Sequence, residues 1–175
     1  NKIFFVCTGS EANDLALRIA KNYTKAKNVL VMNNAYHGHT NSLIDLSPYK
    51  FNSKGGEGKK DYVHVLRMPD EIRGKWTNKN YKWVNKYIDE AEDVISKTFN
   101  KKNSLSSFFF ESILGCGGQI ELPKGYLKNI FKLVRKKNAL CIADEVQTGF
   151  GRVGSNFWAF QEHGIVPDIV TLGKP

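Results

Sequence analysis

Reactive side chains in this sequence gather where apolar runs end. The run Ala139 to Ala143 closes on Asp144 and Glu145, with Gln147 in the Gly-rich turn beyond. Asp168 to Leu172 leads to Gly173-Lys174-Pro175, Leu105 to Phe110 leads to Glu111, and Val29 to Met32 leads to Tyr36-His37-Gly38. Ile3 to Cys7 leads to Thr8-Gly9-Ser10, where the N–H groups of a helix start would suit an anion. Singly, each has a plainer explanation: a strand-end acid, a packed tyrosine, a capped helix, one lysine among many. Together they offer an anion-binding turn, an aromatic face, a carboxylate and an amine nucleophile.

Those four functions are what pyridoxal phosphate demands. Gly9 and Ser10 would take its phosphate, and Tyr36 would stack on the pyridine ring. Asp144 facing the ring nitrogen would keep it protonated and make the ring an electron sink. Lys174 would form the Schiff base. A rival reading of Asp144-Glu145, a magnesium-binding pair in a P-loop ATPase, requires G-x-x-x-x-G-K-[ST], and the sequence has none. No metal enters this reading.

The elements that must position these groups can be traced along the chain. Short apolar runs bounded by turn residues predict strands at Ile3–Cys7, Val29–Met32, Tyr62–Leu66, Leu105–Glu111, Ala139–Asp144 and Asp168–Leu172. Helical spacing of apolar residues predicts helices over Ala12–Tyr23, Tyr81–Phe99 and Tyr126–Lys137, with shorter ones at Thr40–Leu46 and Phe157–His163. Thr8 with Glu11 three residues later fits a capping box. Ser47-Pro48 is expected to stop the helix before it, and the Gly- and Lys-rich stretch Phe51 to Lys60 reads as loop. Alternation of strands and helices implies an α/β fold with a mostly parallel sheet, whose ligands sit at the strand carboxyl ends.

With 175 residues the chain is one domain's worth, and 41% hydrophobic with 25% charged residues is ordinary for a globular protein. No apolar run has the length of a membrane span. The net charge of +9 comes mostly from lysine, in clusters such as Lys59-Lys60, Lys101-Lys102 and Arg135-Lys136-Lys137. These lack interleaved stacking aromatics and any nucleic-acid motif, so they read as solvated faces with some attraction for phosphate or an anionic substrate. No nucleic-acid or membrane partner is expected. Cys7, Cys116 and Cys141 lack CxxC spacing, and Cys7 and Cys141 are expected as small buried hydrophobes. The chain opens on Asn1 and stops at Pro175, so both ends read as cut and carry little information about targeting.

Four segments then carry a resemblance: T-G-S-E-A-N-D (Thr8 to Asp14), Y-H-G (Tyr36 to Gly38), A-D-E-V-Q-T-G-F-G-R (Ala143 to Arg152) and P-D-I-V-T-L-G-K-P (Pro167 to Pro175). In this order they resemble class-III aminotransferases of fold type I, along the whole chain. The resemblance implies a three-layer α/β/α arrangement in which residues 1–175 are the large, pyridoxal-phosphate-binding domain. An N-terminal segment and a small C-terminal domain would lie outside the chain. It further implies that Gly9 and Ser10 hold the cofactor phosphate. Tyr36 and Val146 would cover the two ring faces, with His37 nearby, and Gln147 would bond near the ring hydroxyl. Asp144 and Lys174 take the catalytic roles, Glu111 lines the substrate side, and Arg152 is structural. A homodimer, a small-molecule amine substrate and an intracellular, mitochondrial location are also implied.

Glu111 is followed by Ser112 where many class-III enzymes have proline. With G-G-Q-I (Gly117 to Ile120), S-L-I-D-L-S-P-Y-K-F (Ser42 to Phe51) and F-W-A-F-Q (Phe157 to Gln161), it is similar to a narrower group. That group contains ethanolamine-phosphate and 5-phosphohydroxylysine phospho-lyases and alanine–glyoxylate aminotransferase 2-like proteins. It implies a primary amine taken up as an external aldimine, followed by β-elimination of phosphate or by transamination with a keto acid. A catalytically silent, truncated cofactor-binding module remains a third possibility.

Overall fold

In a computed structural model describing residues 2–174, five apolar runs become one parallel sheet. Its strands are β1 (Asn28–Met32), β2 (Val63–Leu66), β3 (Leu105–Glu111), β6 (Leu140–Asp144) and β7 (Ile169–Thr171). Between β3 and β6 lies a small antiparallel ribbon, β4 (Ile113–Leu114) and β5 (Ile120–Glu121), absent from the expectations above. The sheet order is β2-β1-β3-β6-β7, so chain direction along the sheet reverses between β1 and β3. Ligands of open parallel sheets bind outside the carboxyl ends at such a reversal.

Strand residues alternate between two cores, because successive side chains in a strand point to opposite faces. Leu30, Met32, Phe108, Phe110, Cys141 and Ala143 pack with α4 (Trp83–Thr98) and α5 (Tyr126–Lys136). Val29, Val31, Phe109 and Ile142 pack with α1 (Gly9–Thr24) and the short helices α2 (Asn41–Asp45) and α3 (Pro48–Phe51). The result is the three-layer α/β/α arrangement expected. All seven residues of β3 are buried, as a central strand covered on both faces requires.

Four expectations are corrected. Ile3–Cys7 forms no strand, with Phe5 95% exposed, because no described strand runs beside it. Cys7, on that segment, is therefore exposed, while Cys141 is buried as expected. Pro48 does not merely stop α2. It occupies the first turn of α3, where its missing N–H costs nothing. The last predicted helix is a 3-10 turn, Ala159–His163.

Candidate active site

The carboxyl ends of the strands open into a cleft of about 270 Å³ that collects every site residue named above. Gly9, Ser10, Tyr36, His37, Glu111, Asp144, Val146, Gln147 and Lys174 all line it. Arg152 stands outside this lining and donates to the Lys174 carbonyl at 3.0 Å. Lys174 itself is exposed, three residues past the end of β7.

At one end lies the start of α1, where the capping box forms as predicted. Thr8 Oγ1 accepts from the Glu11 N–H, and Glu11 Oε2 accepts from the Cys7 and Thr8 N–H groups. Among the described residues no acceptor meets the N–H groups of Gly9 and Ser10, so two of the orphan donors of a helix start face the cleft. The Ser10 hydroxyl stands 2.9 Å from His39 Nδ1 and accepts from the His39 N–H at 3.3 Å. Backbone shape is carved to the same end. A Cβ on Gly9 would meet the Val146 methyls at 2.8 and 2.9 Å, and one on Gly38, at φ +137°, would meet Ser10 Oγ at 2.7 Å.

Asp144 anchors the middle. Its Oδ2 accepts from Asn13 Nδ2 at 2.8 Å and is 2.9 Å from His37 Nδ1, while Oδ1 accepts from the Val146 N–H at 3.2 Å. A carboxylate only accepts, so His37 Nδ1 must be the donor, and the tautomer follows from that partner. His37 Nε2 is buried without a partner beside the Phe109 ring, and a bare lone pair is cheaper to bury there than an N–H. Asn13 was missed from the sequence. Its only signal was its place inside T-G-S-E-A-N-D, one turn after Gly9.

Glu111 is buried beside Asp144 and accepts the Tyr36 and Gly115 N–H groups, each at 3.1 Å. Burial raises its pKa to about 7; the nearby His37 opposes that rise and the charge of Asp144 adds to it. Glu111 thus ties the Tyr36 loop to the turn after β4. Tyr36 stands edge-on to Tyr49, with centroids 6.2 Å apart, and burial raises its phenol pKa. The Gln147 amide lies against Gly115, where a Cβ would meet its Oε1 at 2.9 Å. Glu145, the other half of the acid pair, is fully buried away from the chemistry. It accepts from Ser112 Oγ, Thr148 Oγ1 and the Ala159 and Phe160 N–H groups at 2.8–3.0 Å, which caps the 3-10 turn.

These residues fit pyridoxal phosphate. Two free N–H groups suit a phosphate. A slot pared to glycine against Val146 suits a flat ring, and a carboxylate with spare acceptor capacity suits a protonated pyridine. The profile of the family described as Aminotransferase class-III matches residues 1–175. The chain belongs to the class-III aminotransferase family. Among its class-III relatives, an alanine–glyoxylate aminotransferase 2-like protein of Drosophila melanogaster is 49% identical over 98% of this chain. An ethanolamine-phosphate phospho-lyase homolog of Caenorhabditis elegans is 42% identical over 99% of it. The chain spans 35% and 39% of the length of those two relatives. A solved class-III relative, a phospholyase from Arthrobacter in complex with phosphoethanolamine, superposes with a TM-score of 0.87 at 34% identity, covering 99% of this chain and 40% of that one. The human mitochondrial alanine–glyoxylate aminotransferase 2 is 38% identical over 98% of the chain and is covered over 36% of its own length. No helix among the described residues is long and apolar enough to cross a membrane.

Proposed function

We propose that residues 1–175 are the large, cofactor-holding domain of a pyridoxal-phosphate enzyme acting on primary amines, and that the parent protein is a phospho-lyase. Bound at this site, pyridoxal phosphate supplies an aldehyde that condenses with amines and a protonated ring that accepts electrons. The Gly9 and Ser10 N–H groups would hold its phosphate, Tyr36 and Val146 would flank its ring, and Gln147 would bond near its hydroxyl. Asp144 Oδ1 would hold the proton of the ring nitrogen. Lys174 Nζ would hold the cofactor, and its amine would take the proton from the substrate carbon next to nitrogen. In a phospho-lyase the C–O bond one carbon further then breaks, and phosphate leaves with the bonding pair. Uptake of water completes the change from phosphoethanolamine to aldehyde, ammonia and phosphate.

The phospho-lyase branch is carried by the likeness to the Arthrobacter enzyme solved with phosphoethanolamine, at 34% identity. A cation beside the cleft supports it. The Lys50 ammonium stands 5.9 Å from the Tyr36 ring centroid and 5.6 Å from that of Tyr49, and no carboxylate among the described residues pairs with it. Such a cation suits a substrate phosphate. A transaminase is the second reading, favoured by the naming of the 49% identical fly relative as alanine–glyoxylate aminotransferase 2-like. Dimerisation, and the mitochondrial location carried in the human relative's name, belong to the same proposal for the parent protein.

The deciding experiment gives the loaded full-length protein phosphoethanolamine and, separately, 5-phosphohydroxylysine, without any keto acid. Release of inorganic phosphate that is lost in Lys174→Ala is expected. No release, with a spectral shift to the pyridoxamine form on ordinary amino donors, moves the assignment to transaminase.

A further inference from the structure

The Asn13 side chain is 1% exposed and joins four elements at once. Its Nδ2 donates to the His37 carbonyl and to Asp144 Oδ2, each at 2.8 Å. Its Oδ1 accepts from Thr171 Oγ1 at 2.6 Å. An amide has two N–H donors and one carbonyl, so all of its polar groups are in use and its orientation is unique. A flipped amide would set its oxygen against a carbonyl and a carboxylate. Asn13 lies on α1 just after the anion-binding turn, His37 follows β1, Asp144 ends β6, and Thr171 ends β7 three residues before Lys174.

We infer that Asn13, oriented by Thr171, is a positioning residue that fixes the Asp144 carboxylate for the ring nitrogen of the cofactor. The inference rests on the pyridoxal-phosphate reading above. Two side-chain donors, Asn13 and His37, converge on Oδ2, whereas Oδ1 takes a single backbone N–H at 3.2 Å. The oxygen with spare capacity is therefore the one left for the cofactor. Without Asn13 the carboxylate keeps one side-chain donor and gains freedom to turn about its Cβ–Cγ bond. A residue acting only as a staple between α1 and the sheet would not need its amide aimed at Asp144. A hydrogen bond from Thr171 also means that any shift of the β7 end, which carries Lys174, is transmitted to the acid.

The test uses the full-length protein loaded with pyridoxal phosphate labelled with 15N in the ring. The variants are Asn13→Ala, Thr171→Val, which removes only the hydroxyl donor at nearly constant shape, and Thr171→Ser, which keeps it. Nitrogen NMR reads protonation of the ring, thermal melting of the apo-proteins reads folding, and kcat and KM are measured separately. In Asn13→Ala the ring resonance should move toward the unprotonated form, and kcat should fall about 10–100-fold, by analogy with the partners that orient metal ligands, with KM little changed. Thr171→Val should move both readouts in the same direction by less, and Thr171→Ser should restore them. If Asn13→Ala does not fold, Thr171→Val against Thr171→Ser decides. Folded variants with wild-type ring resonance and kcat overturn the inference and leave Asn13 as a packing residue. A wild-type protein whose visible band does not depend on Lys174 overturns the cofactor reading, and the inference with it.

Discussion

Glu111 and Asp144 are register partners at the carboxyl ends of β3 and β6, so two buried carboxylates stand on adjacent strands at the floor of one cleft. They are satisfied in different ways. Asp144 takes two side-chain donors, and Glu111 takes backbone N–H groups from two loops. The pairing separates their surroundings: one acid keeps an oxygen with a single backbone donor among the described residues, and the other ties two walls of the cleft together.

That difference has a pH signature. Glu111 titrates near 7 in the folded protein against 4.5 as a free side chain, because burial disfavours its charge. Between those values the folded state binds more protons than the unfolded state, so stability falls as pH rises through the window, by on the order of 3 kcal/mol in total. Urea unfolding of the full-length protein at pH 5 and pH 8 should show this loss. Glu111→Gln should flatten it while lowering stability at pH 5 by about 1–3 kcal/mol, because one backbone N–H loses its acceptor. An unchanged slope in the variant would remove Glu111 as its source.

Close approach of backbone to Val146 makes a suppressor pair. Gly9→Ala places a methyl 2.8 Å from Val146 Cγ1, nearer than real Cβ contacts allow. The valine must move, and cofactor affinity should fall. Adding Val146→Ala vacates that space and should recover part of the binding, measured as the pyridoxal phosphate concentration at half-saturation of the visible band. No recovery would mean that the Gly9 defect lies in the helix start rather than in the slot.

Glu145 is a structural acid, and its removal should be read in stability. Glu145→Gln turns one acceptor into a donor facing two other donors inside a fully buried site. A loss of about 2–4 kcal/mol in unfolding free energy is expected. A variant as stable as wild type would show that water enters and satisfies the freed groups.

Lys50 offers the sharpest substrate discrimination. Lys50→Met keeps the stem and removes the charge beside Tyr36, so KM for phosphoethanolamine should rise about 10-fold or more with kcat little changed. Unphosphorylated amines should be unaffected. Equal losses for both kinds of amine would place the effect on Tyr36 packing instead.

Much of this was legible in the residue pattern, for identifiable reasons. The β3 strand, Leu105–Glu111, matches its expected bounds because a doubly covered strand is a continuous apolar run between polar neighbours. The α1 start was readable because a capping box is local chemistry, settled within four residues. Ile3–Cys7 has the same apolar character as β1 yet pairs with nothing described, since strand pairing depends on a distant partner that composition does not reveal. Cys7 was misplaced for the same reason. Asn13 escaped notice because a polar residue one turn into a helix looks like a solvent-facing position. Its three partners lie 24, 131 and 158 residues away.

That last separation bears on how the chain folds. The hydrogen bond from Thr171 to Asn13 closes almost the whole length of the described chain, and α1 packs on β7, the last strand among the described residues. Long-range closure carries an entropy cost that local turns do not, so such contacts form late. The cleft is therefore incomplete until β7 has docked on α1, and a cofactor can recognise only a chain in which that contact is made. Ligand that binds the finished cleft and not its precursors then favours the docked state by mass action. Refolding yield should rise with free pyridoxal phosphate, while the early, sheet-forming phase keeps its rate.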